Sequence, residues 1–263
     1  MAKYIEMIRI RFLMMLAYRT NYYSGILIYT INIGAYYFLW EAIYGGKESV
    51  QGLSVAQMTT YVAVGWMARA FYFNNIDREI AEEIREGRVA IEMIRPYSYL
   101  GMKVMQGLGE GIFRFLFFSI PGMILVSFLF SLAVTSHVQT WFLFFLSIIF
   151  SFIINTQINL ITGMMTFFLF NNDGLMYAKR VVIDLFSGLL LPISFYPLWA
   201  QTVMNFFPFQ AISYIPSMIF SEGLKGQAVW HAIMFQMIWS VALILPIVFM
   251  WKLAKKRLIV QGG

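Results

Sequence analysis

Long apolar runs broken by short polar stretches dominate the chain. Six of them approach the roughly 20 residues that a membrane-spanning helix requires: Tyr22–Tyr44, Met58–Phe73, Leu108–Val134, Trp141–Phe170, Met176–Phe195 and Ala228–Trp251. The second is short and must borrow length from its polar flanks, and the fourth is long enough to tilt. The pattern predicts an all-α integral membrane protein of six transmembrane helices, with residues 1–263 forming one transmembrane domain. Composition agrees, because 60% hydrophobic residues, 12% charged residues and a mean hydropathy of +0.71 exclude a soluble globular fold; soluble domains carry about 25% charged residues.

Charge placement supplies orientation. Sixteen of the nineteen Lys and Arg residues fall in the N-terminal segment, in residues 78–114, at Lys179 and Arg180, and after residue 251. The opposite connections hold only Lys47 and Lys225, and Arg69 lies within a run. Cationic loops stay on the cytoplasmic side, so both termini and the segment near residue 80 are expected in the cytoplasm. The net charge of +6 then reflects anionic lipid rather than nucleic acid. Residues 2–19 are expected to lie on the inner leaflet as an amphipathic helix, with Ile5, Ile8, Phe12 and Met15 at helical spacing and Arg9, Arg11 and Arg19 available to lipid phosphates. They do not resemble a signal peptide, since Arg19 cuts the apolar run.

The least typical stretch is a charged island. Asp77, Glu79, Glu82, Glu83, Glu86 and Glu92, with Glu110 just beyond, make seven of the thirteen acidic residues. Ile76, Ile80 and Ile84 recur every four residues, which places them on one helical face, with charge covering the remainder. Arg78 and Glu82 have the spacing of a compensating pair. Gly87 is suited to stopping that helix, and a second short helix over Val89–Ile94 must end before Pro96. An isoleucine face edged by charge suits a helix that docks in a partner's groove.

The run Ile84-Arg85-Glu86-Gly87-Arg88-Val89-Ala90-Ile91-Glu92-Met93-Ile94-Arg95-Pro96 resembles the cytoplasmic loop of exporter-type ABC permeases, the six-span membrane subunits of bacterial export systems. The segment from Phe186 to Pro197, with Phe207-Pro208-Phe209 and Pro216, is similar to the short re-entrant helices that precede the last span in that family. There Pro192, Pro197 and Pro208 would break the backbone near the outer interface. Tyr18-Arg19-Thr20-Asn21 is similar to the family's entry segment. The resemblance implies a permease subunit in the bacterial inner membrane, paired with a second copy or a paralogue and coupled to a dimer of separate ATPase subunits. It implies that ATP and magnesium bind the ATPase and that no cofactor binds this chain. It also implies that Ile76, Ile80, Glu83, Ile84, Glu86, Gly87 and Arg88 form the ATPase-coupling element.

Polar residues inside the runs are the remaining candidates. Arg69 and Asp184 each cost about 2.5–3.5 kcal/mol at the centre of a spanning helix, so they are expected to pair with each other or to line a cytoplasmic vestibule. Asn155, Gln157 and Asn159 fit interhelical hydrogen bonds or a pathway stripe. Glu110 and Arg114 are spaced to pair on one helix. Nothing matches a phosphate loop, since Gly45-Gly46-Lys47-Glu48-Ser49 lacks the spacing. The chain has no cysteine, and its histidines are His137 and His231, which offers neither a thiol nor a metal site. Two other classes remain open on the residues alone: a secondary transporter built on Asp184, and a membrane scaffold that recruits a cytoplasmic protein through the island.

Overall fold

The structure is a computed structural model describing residues 2–17, 20–169 and 171–261, without the side chains of 20–23 and 258–261. Tyr18 and Arg19 of the expected entry segment and Phe170 of the fourth run lie outside it, as do the side chains of Thr20, Asn21 and Tyr22. Thirteen α-helices are described, joined by short 3-10 or π segments and one small hairpin.

Helix α1 (Ala2–Ala17) precedes α2 (Thr20–Tyr44), and a two-residue hairpin, β1 (Ser49–Val50) and β2 (Leu53–Ser54), leads into α3 (Val55–Tyr72). The hairpin pairs antiparallel with Ser49 opposite Ser54 and Val50 opposite Leu53. Its turn residues Gln51 and Gly52 both have positive φ, the twist that suits a two-residue loop. Ser54 and Gln57 cap α3 reciprocally, and this capping box supplies the polar flank from which the short second run gains length.

Helices α4 (Ile76–Arg85) and α5 (Arg88–Met93) come next. Then α6 (Tyr99–Arg114), a π segment (Phe115–Ser119) and α7 (Ile120–Leu129) form one continuous rod. The rod begins nine residues before the expected Leu108, because Ser98 caps it and Lys103 finds acidic partners within the fold. Pro121 explains the π segment, since it donates no N–H and its ring displaces the carbonyl four residues back.

Helix α8 (Val138–Met164) ends in a 3-10 turn, and α9 (Asp173–Phe186) is succeeded by α10 (Leu198–Phe206) and α11 (Tyr214–Phe220). Helices α12 (Gln227–Ala242) and α13 (Ile244–Gln261) follow, and the break between them, at Leu243, sits three residues before Pro246.

Among the described residues, four stretches are long and apolar enough to cross a membrane: Ser24–Tyr44, Tyr99–Leu129, Val138–Phe167 and Gln227–Arg257. The fold is that of an all-α membrane protein, and the other two expected spans need a different account. Helix α3 has 18 residues and carries Arg69. Helix α9 has 14 residues, or about 21 Å at 1.5 Å per residue, well short of the roughly 30 Å hydrocarbon core. The expected continuous span over Met176–Phe195 is therefore corrected, since the helix stops at Phe186.

Beyond α9 the chain turns inward. Gly188, at φ 79°, lets the backbone bend where a β-carbon would lie 2.7 Å from Tyr214 Cβ. The exposed carbonyls are satisfied inside the fold: Tyr214 N donates to Ser187 O at 2.8 Å, and Tyr61 Oη donates to Gly188 O. Pro192 and Pro197 flank a 3-10 turn, and Pro208 starts another. Helix α11 lies between α3 and α8, with Ile215, Ile219 and Phe220 in the main core beside Val64, Phe144 and Ile154.

Helix α1 packs along α6. Its Ile8 backbone closes on Gly109, and Phe12 stacks edge-on against Phe113 at 5.7 Å. Ile5 is exposed. Arg11, expected at lipid phosphates, turns instead into the protein.

Candidate functional site

The charged island folds as expected in outline: α4, a left-handed Gly87 at φ 73°, then α5. Its apolar face has a different destination from the one the pattern suggested. Ile80 is 0% exposed and Ile76 is nearly so, both within the chain's own core against Leu160, Met164 and Tyr99, with Ile84 partly buried beside them. Helix α8 passes so close that a β-carbon on Gly163 would lie 3.0 Å from the Asp77 backbone. Burying each isoleucine contributes roughly 1.5–3 kcal/mol. The isoleucine face holds α4 to the bundle and is not a free docking surface.

The acidic side chains of α4 are held in the same way, each by a cation from a different element. Lys179 of α9 meets Asp77 at 2.6 Å. Arg11 of α1 bridges Glu79 and, at 2.8 Å, Glu110 of α6. Lys103 of α6, only 3% exposed, bonds Glu83 at 2.7 Å and reaches Glu79 at 3.5 Å, while Tyr99 Oη donates to Glu83 at 2.6 Å. Burial opposes the Arg11 charge, but Glu79 and Glu110 outweigh it and raise its pKa beyond the ordinary arginine value. Arg85 reaches Asp173 at 3.2 Å. Glu82 lies 4.0 Å from Arg88, which also pairs with Glu86, so the expected Arg78–Glu82 partnership is replaced.

A second anchor fixes the elbow between α3 and α4. Asn155 donates to Tyr72 O at 2.9 Å, and Asn159 donates to Asn74 O at 3.0 Å and to Asn74 Oδ1 at 2.8 Å. Asn74 donates in turn to Thr156 Oγ1 at 2.9 Å. These bonds satisfy carbonyls that the end of α3 leaves without helical donors. Gln157 reaches Ser240 O at 2.7 Å, on α12. Asn155, Gln157 and Asn159 thus all bond to other elements of the fold.

Arg69 and Asp184 pair at 2.5 Å, joining α3 to α9, and Arg180 approaches the same carboxylate at 3.8 Å. Beside them a small cleft, about 40 Å3, is lined by Asn155, Asn159, Lys179 and Asp184. The pair is formed, and the cleft beside it has room for a few waters. Glu110 and Arg114 also pair on α6.

The sequence did not single out Lys103, Tyr99 or Lys179. Lys179 lies within the fifth apolar run, and Tyr99 and Lys103 lie just before the third, all at the charged end of the chain's pattern. Nor did it distinguish Ile91 and Ile94, which are 58% and 84% exposed. With Glu86, Arg88 and Arg95, they form the outward surface around α5. Helix α4 is therefore anchored to α1, α6, α8 and α9, while α5 projects apolar and charged groups outward.

Comparison with curated proteins gives no match. A family model described as ABC-2 family transporter protein matches residues 30–262, nearly the whole chain. The chain belongs to the ABC-2 family of transporter proteins, as a membrane permease subunit of an ABC transporter.

Proposed function

We propose that this permease exports its substrate from the cytoplasm, driven by a separate ATPase that docks at α5 and moves the bundle through α4. The anchored α4 beside the outward-facing α5 is the observation that carries this reading. Ile91 and Ile94 enter a groove of the ATPase, Glu86 and Arg88 register it, and Gly87 sets the angle between the helices. Ile76, Ile80, Glu83 and Ile84 transmit the displacement. In this reading the chain makes six crossings, with α3 as the second. The fifth is α9 extended by the bent stretch around Gly188, and α10 and α11 are re-entrant on the far side. Both termini then lie in the cytoplasm of a bacterium, ATP and magnesium sit in the ATPase, and a second copy or a paralogue completes the pathway.

A secondary transporter would need a carboxylate free to exchange protons or ions. Asp184 is instead paired with Arg69 and approached by Arg180, an arrangement that favours the ATPase-driven reading. The chain has no native cysteine, so one engineered cysteine gives an unambiguous test. Ile94→Cys should form a disulfide or short cross-link with a cysteine placed in the ATPase groove. Trp199→Cys, on α10, should not. Cross-linking at Trp199 and none at Ile94 would reverse the assignment.

A further inference from the structure

On the side of α3 that faces α2, a crevice of about 210 Å3 is walled by Tyr29, Trp66, Arg69, Phe73, Arg114 and Phe118. Among the described residues, no carboxylate lines it. Both guanidinium groups sit over the Phe73 ring, Arg69 at 5.3 Å and Arg114 at 5.8 Å from its centroid. Their acidic partners lie elsewhere and are shared. Asp184 serves Arg69 and Arg180, and Glu110 serves Arg114 and Arg11. The other acid on Arg11, Glu79, is shared with Lys103. Cations exceed anions around the crevice.

Two further groups have no use in the fold. The Tyr29 hydroxyl and the Trp66 indole Nε1 are both buried without a hydrogen-bond partner among the described residues. Their rings meet edge to face at 5.5 Å, so both orphans lie at the same wall. A buried polar group without a partner is destabilising, and this site carries two. An indole N–H and a guanidinium donate only, and a phenol donates readily. The crevice therefore has two guanidinium groups at its edge, two unpartnered donors buried behind its aromatic walls, and an excess of positive charge. Its complement is an anion that accepts hydrogen bonds.

Volume narrows the choice further. Sites for drug-sized ligands occupy about 300–1,000 Å3, so this crevice suits a headgroup rather than a whole amphiphile. On the same turns of α2, Leu27, Ile28 and Ile31 are exposed and offer an apolar surface to acyl chains. We propose that the crevice between α2, α3 and α6 binds the phosphate of an anionic membrane phospholipid, with Tyr29, Trp66, Arg69 and Arg114 as its donors. Such a lipid would brace Arg69, and so the α3–α9 contact, without entering the coupling surface at α5.

The test is native mass spectrometry of the full chain, purified with any partner that accompanies it, after exchange into detergent with phosphatidylglycerol or phosphatidylcholine. The expected result is one tightly retained phosphatidylglycerol per chain, preferred over phosphatidylcholine. Tyr29→Phe and Trp66→Phe should each weaken retention about tenfold, the usual effect of losing one hydrogen bond to a charged group. Tyr29→Phe should leave thermal stability unchanged, because the hydroxyl it removes has no protein partner among the described residues. Equal retention of the two lipids, or wild-type retention in the doubly substituted chain, would overturn the proposal. Displacement of the lipid by millimolar glycerol phosphate would overturn the lipid source and leave a site for a soluble phosphate ester.

Discussion

Replacing Lys103 by methionine keeps the length and bulk of a side chain that is 3% exposed while removing its charge. Its ammonium group sits 2.7 Å from Glu83 and 3.5 Å from Glu79, and 5.8 Å from the centre of the Tyr99 ring. Removing one partner of a buried pair costs about 3–5 kcal/mol, because the other charge is stranded. Glu83 keeps the Tyr99 hydroxyl and Glu79 keeps Arg11, which places this case near the lower bound. For a chain of this size each kcal/mol corresponds to about 2–4 °C in melting temperature, so Lys103→Met should melt roughly 6–12 °C lower. Glu83→Gln in the same chain removes the stranded charge. The double variant should therefore lose less than the sum of the single losses, by about 2 kcal/mol. The assay is a double-mutant cycle of thermal melts in mild detergent, with monodispersity checked by gel filtration. A Lys103→Met melt within a degree or two of wild type, or strictly additive losses, would refute the claim that buried ion pairs anchor α4.

The same geometry sets other expectations. Arg69→Met should lower stability, and adding Asp184→Asn should restore part of the loss, measured as the melting temperature of each variant; no recovery would argue against the 2.5 Å pair. Gly87 and Gly188 share a left-handed backbone, but a β-carbon would meet nothing within 4 Å at Gly87 and would lie 2.7 Å from Tyr214 Cβ at Gly188. Gly87→Ala should then cost only the roughly 1–2 kcal/mol of the conformation and reduce ATPase-coupled transport at normal expression. Gly188→Ala should reduce the amount of folded protein in the membrane, read by quantitative immunoblot. Ile80→Asp buries a charge in the core under α4 and should abolish the folded chain, while Ile94→Asp should leave its melting temperature unchanged.

The sequence disclosed more of the architecture than of the contacts. Apolar runs located the long helices, and the glycine and proline at 87 and 96 delimited the short ones, because those signals are local. Helix ends were less legible where charge entered a run. Lys103 halted the apolar count before Leu108, yet the helix continues through it because acids from α4 neutralise it. The bend after Phe186 was hidden for the opposite reason, since Leu189, Leu190 and Leu191 continue the apolar pattern although Gly188 ends the helix. The isoleucine spacing identified a buried face correctly but not its occupant. Periodicity reports that a face is covered, and only the fold shows that α8 covers it. Ile91 and Ile94 drew no attention because a six-residue helix is too short to display a period.

Co-purification tests the central claim most directly. The tagged chain, extracted gently from its native membrane, should bring with it an ATPase carrying a phosphate loop. The Ile91→Asp, Ile94→Asp variant should melt like wild type and lose that ATPase. Recovery of the ATPase in equal amount with the variant, or of the wild-type chain alone under conditions that preserve other ABC complexes, would contradict docking at α5.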